Sequence, residues 1–141
     1  MILWRFSKFS SLDGRGGLFA SGRWHSRGHQ ILYCAPDPST ALLEVLVQGA
    51  VRTPEAFGDF RFFKLEAPDG LASERIEEFQ LTADWMAHPD LTRAVGDRWL
   101  REERSGVLYV RSVLVPETYN ILVNPRHAQA SLLAPAYSGR S

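Results

Sequence analysis

Short apolar runs are spaced along the 141 residues of this chain, and their periods predict five strands and two helices. Strands are predicted where aromatic and β-branched residues concentrate, at residues 1–6, 30–35, 59–66, 107–115 and 119–123. Helices are predicted at residues 37–49, with Pro38 in the first turn and Gly49 at the stop, and at residues 89–104. Residues 138–141 are predicted to fray. Strands and helices mixed without regular alternation favour an α+β fold.

Both predicted helices are amphipathic, which indicates the face that each turns to the core. In the first helix, one apolar stripe is formed by Ala41, Leu42, Val45 and Leu46. In the second helix, the residues at core spacing are Leu91, Val95, Trp99 and Leu100. Glu44 lies on the face next to the first stripe, so it is a carboxylate in a mostly apolar helix.

Residues 10–29 are predicted to form a loop, because they contain five glycines and four serines. Arg15, Arg23 and Arg27 are distributed among those glycines. Guanidinium groups bind phosphates and carboxylates through two parallel hydrogen bonds, so a loop of this composition is suited to an anionic ligand. We therefore expect the functional site to involve this loop.

The composition fits one domain and argues against general nucleic-acid binding. Hydrophobic residues make up 45% of the chain, enough for one compact core at this length. The 16 Lys and Arg are balanced by 16 Asp and Glu, which leaves no excess positive charge for a phosphate backbone. We expect a single domain over residues 1–141.

Other features predict a soluble, cytoplasmic protein. Cys34 is the only cysteine, so no disulfide can form within the chain. The N-terminal segment lacks the pattern of a signal peptide, and no run approaches the roughly 20 apolar residues that cross a bilayer. We also expect no metal site, because no Cys or His spacing typical of zinc is present.

Three blocks of sequence, in order along the chain, carry a resemblance to a known family. In residues 22–47 the matching positions are Arg23, Trp24, Gly28, Tyr33, Ala35, Ala41 and Glu44. In residues 91–100 they are Thr92, Gly96, Asp97, Trp99 and Leu100. In residues 111–127 they are Ser112, Pro116, Asn120, Asn124, Pro125 and His127. Together these blocks resemble the RES domain family over nearly the whole chain.

The resemblance implies an ADP-ribosyltransferase-like α+β fold, with a mixed β-sheet core, flanking helices and activity on NAD⁺. It also implies the toxin of a bacterial toxin–antitoxin pair. The partner would be a cognate Xre-type antitoxin, with a homodimer as one assembly within that complex. The family is named for an Arg, a Glu and a Ser, which correspond here to Arg23, Glu44 and Ser112.

The chemistry of NAD⁺ cleavage gives these residues roles. Breaking the nicotinamide–ribose bond passes through an oxocarbenium-like ribose, which a carboxylate such as Glu44 stabilises. Arg23, supported by Arg5 from the first strand, would clamp the pyrophosphate. Tyr33 would stack on the nicotinamide or the ribose and hydrogen-bond through its hydroxyl.

Ser112 and His25 are expected to support these groups. Ser112 would position a ribose hydroxyl, or order Glu44 and Arg23 by hydrogen bonding. It has no nucleophile elbow around it, so we do not expect it to attack the substrate. His25 would donate a hydrogen bond to a phosphate. Departures from the family pattern are His25 in place of Asn, then Ser26 and Arg27 where prolines are common, and Arg111 in place of the Pro before the serine.

Other interpretations stay open from the sequence alone. Each candidate has an ordinary explanation, as an exposed helix glutamate, a surface salt bridge or a packed tyrosine. The site could pass ADP-ribose to water, to phosphate or to a host protein. A toxin that acts on RNA is a different class, against which the zero net charge argues, and a pure binding module is another.

Overall fold

The computed structural model describes residues 1–47, 54–76 and 81–140, and within them it contains seven strands and two α-helices. The strands are β1 (Ile2–Ser7), β2 (Leu32–Cys34), β3 (Arg61–Glu66), β4 (Ser73–Arg75), β5 (Val107–Arg111), β6 (Tyr119–Val123) and β7 (Ala134–Arg140). The helices are α1 (Pro38–Val47) and α2 (Pro89–Glu102). The prediction of an α+β fold is confirmed.

Two sheets share the main core. β1, β3 and β7 form an antiparallel sheet with β3 in the centre. The second sheet has the order β2-β6-β5-β4, in which only β4 runs parallel to its neighbour. Trp4 and Ala35 join the two sheets through a pair of main-chain hydrogen bonds of 2.8 Å. The core that both sheets bury includes Leu3, Leu32, Phe63, Leu65, Val107, Ile121 and Val123.

α2 covers the other face of the second sheet. Successive side chains of a strand point to opposite faces, so β5 and β6 must be apolar at adjacent positions to serve both cores. The face toward α2 carries Leu108, Val110 and Leu122, which pack with Trp24, Trp85, Trp99 and Leu100. Neither of the two described helices is long and apolar enough to cross a membrane.

α1 packs on β1 through a narrow stripe. The N–H of Thr40 donates to Asp37 Oδ1 at 2.8 Å, which caps the helix start. Ala41 is buried against Phe6, whereas Leu46 is 39% exposed, so the prediction that Leu46 belongs to the buried stripe is wrong. The predicted helix stop at residue 49 lies outside the described residues. The narrow contact leaves the Glu44 side of α1 facing a cavity.

The strand predictions fail where pairing, rather than side-chain pattern, makes the strand. β4 has only three residues and β7 begins with Ala-Pro, so neither carries an apolar alternation. Residues 138–140 pair with β3 through main-chain hydrogen bonds, so the prediction that the tail frays is wrong for them, and residue 141 lies outside the described residues. β5 ends at Arg111 rather than at residue 115, because the chain turns at Ser112.

Candidate active site

A cavity of about 300 Å³ lies between β1, β2, α1 and the loop that connects the first two strands. Five of the six predicted site residues line it: Arg5, Arg23, His25, Tyr33 and Glu44. The sixth, Ser112, donates a hydrogen bond to Glu44 Oε1 at 2.7 Å. The fold therefore brings together all six residues that the sequence predicted.

Ser112 holds Glu44 from behind. The Ser112 side chain is buried at the turn after β5, and its Oγ accepts hydrogen bonds from the N–H groups of Leu114 and Val115, both at 3.2 Å. These donors leave the hydroxyl proton for the carboxylate. Glu44 is half-buried, so a fixed donor gives it one orientation at the cavity wall.

Tyr33 and His25 are joined by a hydrogen bond, and the backbone carbonyls next to His25 decide which of the two side chains donates. His25 Nε2 lies 2.9 Å from the carbonyl oxygen of Ala20 and 3.3 Å from that of Gly17. Carbonyl oxygens only accept, so Nε2 carries the proton and Nδ1 accepts from the Tyr33 hydroxyl at 2.7 Å. The Tyr33 oxygen accepts in turn from the N–H of Trp24 at 3.1 Å.

Burial keeps both rings neutral. It lowers the pKa of His25 and raises the pKa of Tyr33, because each charged form would lose its hydration. A Cβ on Gly22 would lie 2.3 Å from the Tyr33 hydroxyl oxygen, so only glycine lets the loop pass this close. Protein groups occupy both nitrogens of His25, and this favours a role in holding the loop over donation to a phosphate.

Both arginines are anchored to backbone carbonyls. Arg5 Nη1 donates to two carbonyls of the following loop at 2.8 and 3.0 Å. Arg23 Nη2 donates to the carbonyls of Trp85 and Met86, and its guanidinium lies 6.0 Å from the Trp85 ring centre. Burial lowers the pKa of both arginines, yet a guanidinium stays charged at neutral pH. They give the cavity fixed positive charge.

Arg23 also has an unsatisfied donor. Its Nε is buried and has no hydrogen-bond partner within the described part of the chain. A buried N–H without a partner is costly, so an anion bound in the cavity would satisfy it. Among the same described residues, no group of three His, Cys, Asp or Glu side chains could hold a metal ion.

α2 holds the loop that carries Arg23. Thr92 Oγ1 donates to the carbonyl of Arg23 at 2.6 Å, and Arg93 Nε donates to the carbonyl of Gly22 at 2.8 Å. Thr92 is fully buried, so its hydroxyl faces the loop rather than water. The backbone on both sides of the Arg23 side chain is thereby fixed to a rigid helix.

Asp97 and Gly96 fix the residues that follow. The N–H of Ser26 donates to Asp97 Oδ1 at 2.8 Å. A Cβ on Gly96 would lie 1.6 Å from the carbonyl oxygen of Trp24, so glycine is required where α2 meets the loop. Thr92, Gly96 and Asp97 belong to the second block of the family resemblance, but the sequence alone gave them no role, although their spacing also offered a signal. Thr92, Gly96 and Asp97 lie on one side of a predicted helix and are small or polar.

Comparison with known proteins agrees with this architecture. The family profile described as RES domain matches residues 2–139. The chain belongs to the RES domain family. It is 41% identical to the protein named Toxin Res from Pseudomonas putida over 130 residues, which cover 92% of this chain and 88% of the relative. It is 31% identical to the Prs ADP-ribosylating toxin of Sphingobium sp. strain YBL2 over 123 residues, 84% of this chain and 75% of that one.

A solved structure has a similar fold. The crystal structure of the Mycobacterium tuberculosis MbcT–MbcA toxin–antitoxin complex contains a chain that matches with a TM-score of 0.75 at 17% sequence identity. The match covers 99% of this chain and 83% of that chain. At this identity the similarity concerns the fold alone.

One departure from the usual RES pattern, Arg111 before the serine, makes two contacts in the structure. Arg111 Nη1 donates to the carbonyl of Pro116 at 2.5 Å, and its guanidinium lies 5.1 Å from the ring centre of Tyr119. The N–H of Ser112 donates to the carbonyl of Thr118 at 3.0 Å, and this hydrogen bond joins the start of the turn to its end. The side chain of Arg111 is thus held by the same turn that holds Ser112.

Proposed function

We propose that this chain is a cytoplasmic bacterial toxin that cleaves the bond between nicotinamide and ribose in NAD⁺. The observation that carries the proposal is the carboxylate of Glu44, which the Ser112 hydroxyl holds at the wall of a cavity that two anchored arginines also line. A fixed negative charge beside fixed positive charges matches a substrate with a cationic nicotinamide riboside and an anionic pyrophosphate.

In this mechanism different residues bind the anionic pyrophosphate and the cationic nicotinamide riboside of the substrate. Arg23 and Arg5 bind the pyrophosphate oxygens, and the Tyr33 ring packs on the nicotinamide or the ribose. The bond from ribose C1′ to the ring nitrogen breaks, and its electron pair leaves with neutral nicotinamide. Glu44 stabilises the positive charge that develops on the ribose.

The cation at C1′ then takes an electron pair from an acceptor. Water gives ADP-ribose and releases a proton, and inorganic phosphate gives the corresponding ADP-ribose phosphate. We favour this degradation of NAD⁺ over transfer to a protein. Transfer to a host protein is the second candidate, because one relative is named an ADP-ribosylating toxin.

A toxin of this kind needs a partner that keeps it inactive, and we propose a cognate antitoxin of the Xre type, in a complex where the toxin can be a homodimer. Phe9, which lines the cavity, is 66% exposed, and Phe19 in the glycine-rich loop is 76% exposed. Exposed aromatic side chains beside a binding cavity are suited to a protein partner. An antitoxin segment with a carboxylate could pair with the arginines that hold pyrophosphate.

The proposal is tested by incubating the purified protein with NAD⁺ and following free nicotinamide by chromatography. Release of nicotinamide is expected, with ADP-ribose or its phosphate as the companion product. A labelled protein in place of free ADP-ribose would favour the transferase. Cleavage of RNA under the same conditions, with NAD⁺ intact, would replace the proposal with an RNA-targeting toxin.

A further inference from the structure

Asn120 presents an unsatisfied acceptor in the wall of the same cavity. Its side chain is buried, with 9% of its surface exposed, and it lines the cavity. Within the described residues, Asn120 Oδ1 has no hydrogen-bond partner. A buried carbonyl oxygen without a donor destabilises the free protein, so its presence requires a reason.

The position of Asn120 indicates which part of a ligand it would meet. In the antiparallel pair of β2 and β6, Cys34 lies opposite Ile121 and Tyr33 lies opposite Leu122. Because side chains alternate along a strand, Asn120 is on the same face as Leu122 and Tyr33. It also lies next to the end of β2, from which the chain enters α1 and reaches Glu44.

The wall of the cavity that Asn120 lines also carries apolar side chains. The lining includes Ala41 and Val45 on α1 and Val113 in the turn after β5. Among such side chains, a leucine of similar size would pack better than the amide of an asparagine. The arrangement is typical of a binding site, where a few polar groups in an apolar wall set specificity.

We propose that Asn120 is a specificity-determining residue whose Oδ1 accepts a hydrogen bond from the nicotinamide riboside half of the substrate. The inference rests on the proposed function, because Glu44 is what locates that half. Two groups of NAD⁺ could supply the donor there: the N–H₂ of the carboxamide and a hydroxyl of the ribose. Both have the same chemistry, and analogues that lack one or the other distinguish them.

The first test compares the stabilities of the free proteins. Asn120→Leu removes the unsatisfied oxygen, so its melting temperature is expected to equal or exceed that of the parent. Asn124→Leu is the matched control. Asn124 is also buried, but Nδ2 donates to the carbonyl of Leu100 and Oδ1 accepts from the N–H of Arg126, both at 3.1 Å. Its replacement is expected to lower the melting temperature.

The second test measures ligand affinity by calorimetry in a Glu44→Gln background, in which turnover is expected to be strongly reduced. The ligands are NAD⁺, nicotinic acid adenine dinucleotide, which lacks the amide donor, and NAD⁺ with a 2′-deoxy nicotinamide riboside. Asn120→Leu and the smaller Asn120→Ala are expected to bind NAD⁺ about 10- to 100-fold more weakly. One of the two analogues should bind the parent site more weakly than NAD⁺ does. The Asn120 variants should bind that analogue and NAD⁺ with equal affinity.

The outcomes separate this inference from the proposed function. If the Asn120 variants bind all three dinucleotides as the parent site does, or lose affinity for all three equally and melt early like Asn124→Leu, Asn120 is a structural residue and the inference is wrong. In either case nicotinamide release by the otherwise unchanged protein leaves the proposed function intact. A parent protein that neither binds nor cleaves NAD⁺ would overturn both.

Discussion

Glu44 lies in an amphipathic helix, and the hydroxyl of Ser112 holds its carboxylate in one orientation. The serine oxygen accepts hydrogen bonds from two backbone N–H groups, so its own proton is free to be donated to the Glu44 carboxylate. The same principle applies to Tyr33, whose hydroxyl is directed at His25. The contact of Ser112 with Glu44 was one of the roles expected for the serine, whereas the contact of Tyr33 with His25 was not.

Glu44→Gln is expected to fold normally and to lose NAD⁺ turnover by about 100-fold or more, because the amide keeps the size of the side chain but not its charge. The Ser112 hydroxyl can still donate to the amide oxygen, so binding of NAD⁺ should change less than turnover. Nicotinamide release and calorimetry measure the two effects. Glu66→Gln, at an exposed position in β3, is the control. Full activity of a folded Glu44→Gln protein would contradict the assignment.

Arg23→Lys is expected to weaken NAD⁺ binding about 10-fold or more although the charge is kept. A lysine ammonium cannot contact two pyrophosphate oxygens in one plane while the Trp85–Ala87 turn anchors it. Arg61→Lys, at an exposed position, should bind as the parent does. Equal affinity of Arg23→Lys and the parent in calorimetry would place the clamp elsewhere, with Arg5 as the next candidate.

His25 makes the stability of the protein depend on pH. Burial lowers the pKa of His25 below its unfolded value of about 6.5, so the unfolded chain binds the proton more readily. The free energy of unfolding should therefore fall as the pH decreases below about 6.5. Urea unfolding from about pH 5 to about pH 7 brackets the pKa of His25 in the unfolded chain. The free energy of unfolding should depend less steeply on pH in His25→Gln than in the parent. An unchanged slope would indicate that the pKa of His25 is the same in the folded and the unfolded protein.

α2 supports the loop that carries Arg23, and Gly96 lets the helix and the loop approach closely. Through Thr92, Arg93 and Asp97 the helix binds the backbone of residues 22–26 at three points. The contact requires the helix backbone to approach the loop closely, and Gly96 provides that approach. The loop carries Arg23, and α2 fixes the position of the backbone from which that side chain projects.

Gly96→Ala tests this support. The added methyl group would overlap the carbonyl oxygen of Trp24, which is backbone and cannot rotate away. We expect a loss of about 2 kcal/mol or more in the free energy of unfolding and a higher KM for NAD⁺ in whatever protein remains folded. Gly70→Ala is the matched control, because nothing lies within 4 Å of a Cβ there. Similar denaturation midpoints for the two variants would refute the close approach.

The whole molecule combines a rigid core with a cavity that opens at the surface. The two sheets and α2 bury most of the apolar side chains, whereas the cavity lies where α1 and the glycine-rich loop meet the ends of β1 and β2. A partner that covers the loop could therefore close the cavity without rearranging the core.

Expression of the chain alone in bacteria is expected to arrest growth while cellular NAD⁺ falls, and co-expression with the cognate antitoxin should restore both. Glu44→Gln should be harmless at the same expression level. Phe19→Ser, in the exposed loop, should weaken rescue without changing NAD⁺ turnover, because Phe19 is exposed and is not among the cavity-lining residues. Arrest with unchanged NAD⁺ would indicate protein modification instead, and no arrest would exclude the toxin function.

The sequence by itself determined what depends on local pattern. The apolar runs of β5 and β6 and the spacing in α2 predict those elements, because strand and helix periods are properties of a few adjacent residues. Motifs of residue type also sufficed to select Arg23, Glu44 and Ser112 as candidates by family resemblance. Where no such pattern exists, as in β4 and the Ala-Pro start of β7, the prediction failed.

The tertiary structure alone decided how those candidates are held. The hydrogen bond from Ser112 to Glu44 spans 68 positions, that from Thr92 to Arg23 spans 69, and that from Ser26 to Asp97 spans 71. The unsatisfied Asn120 oxygen is likewise visible only after its neighbours are in place. A hydrogen bond has a range of about 3 Å, so its partner is chosen by how distant segments pack, and no periodicity in the chain encodes that choice.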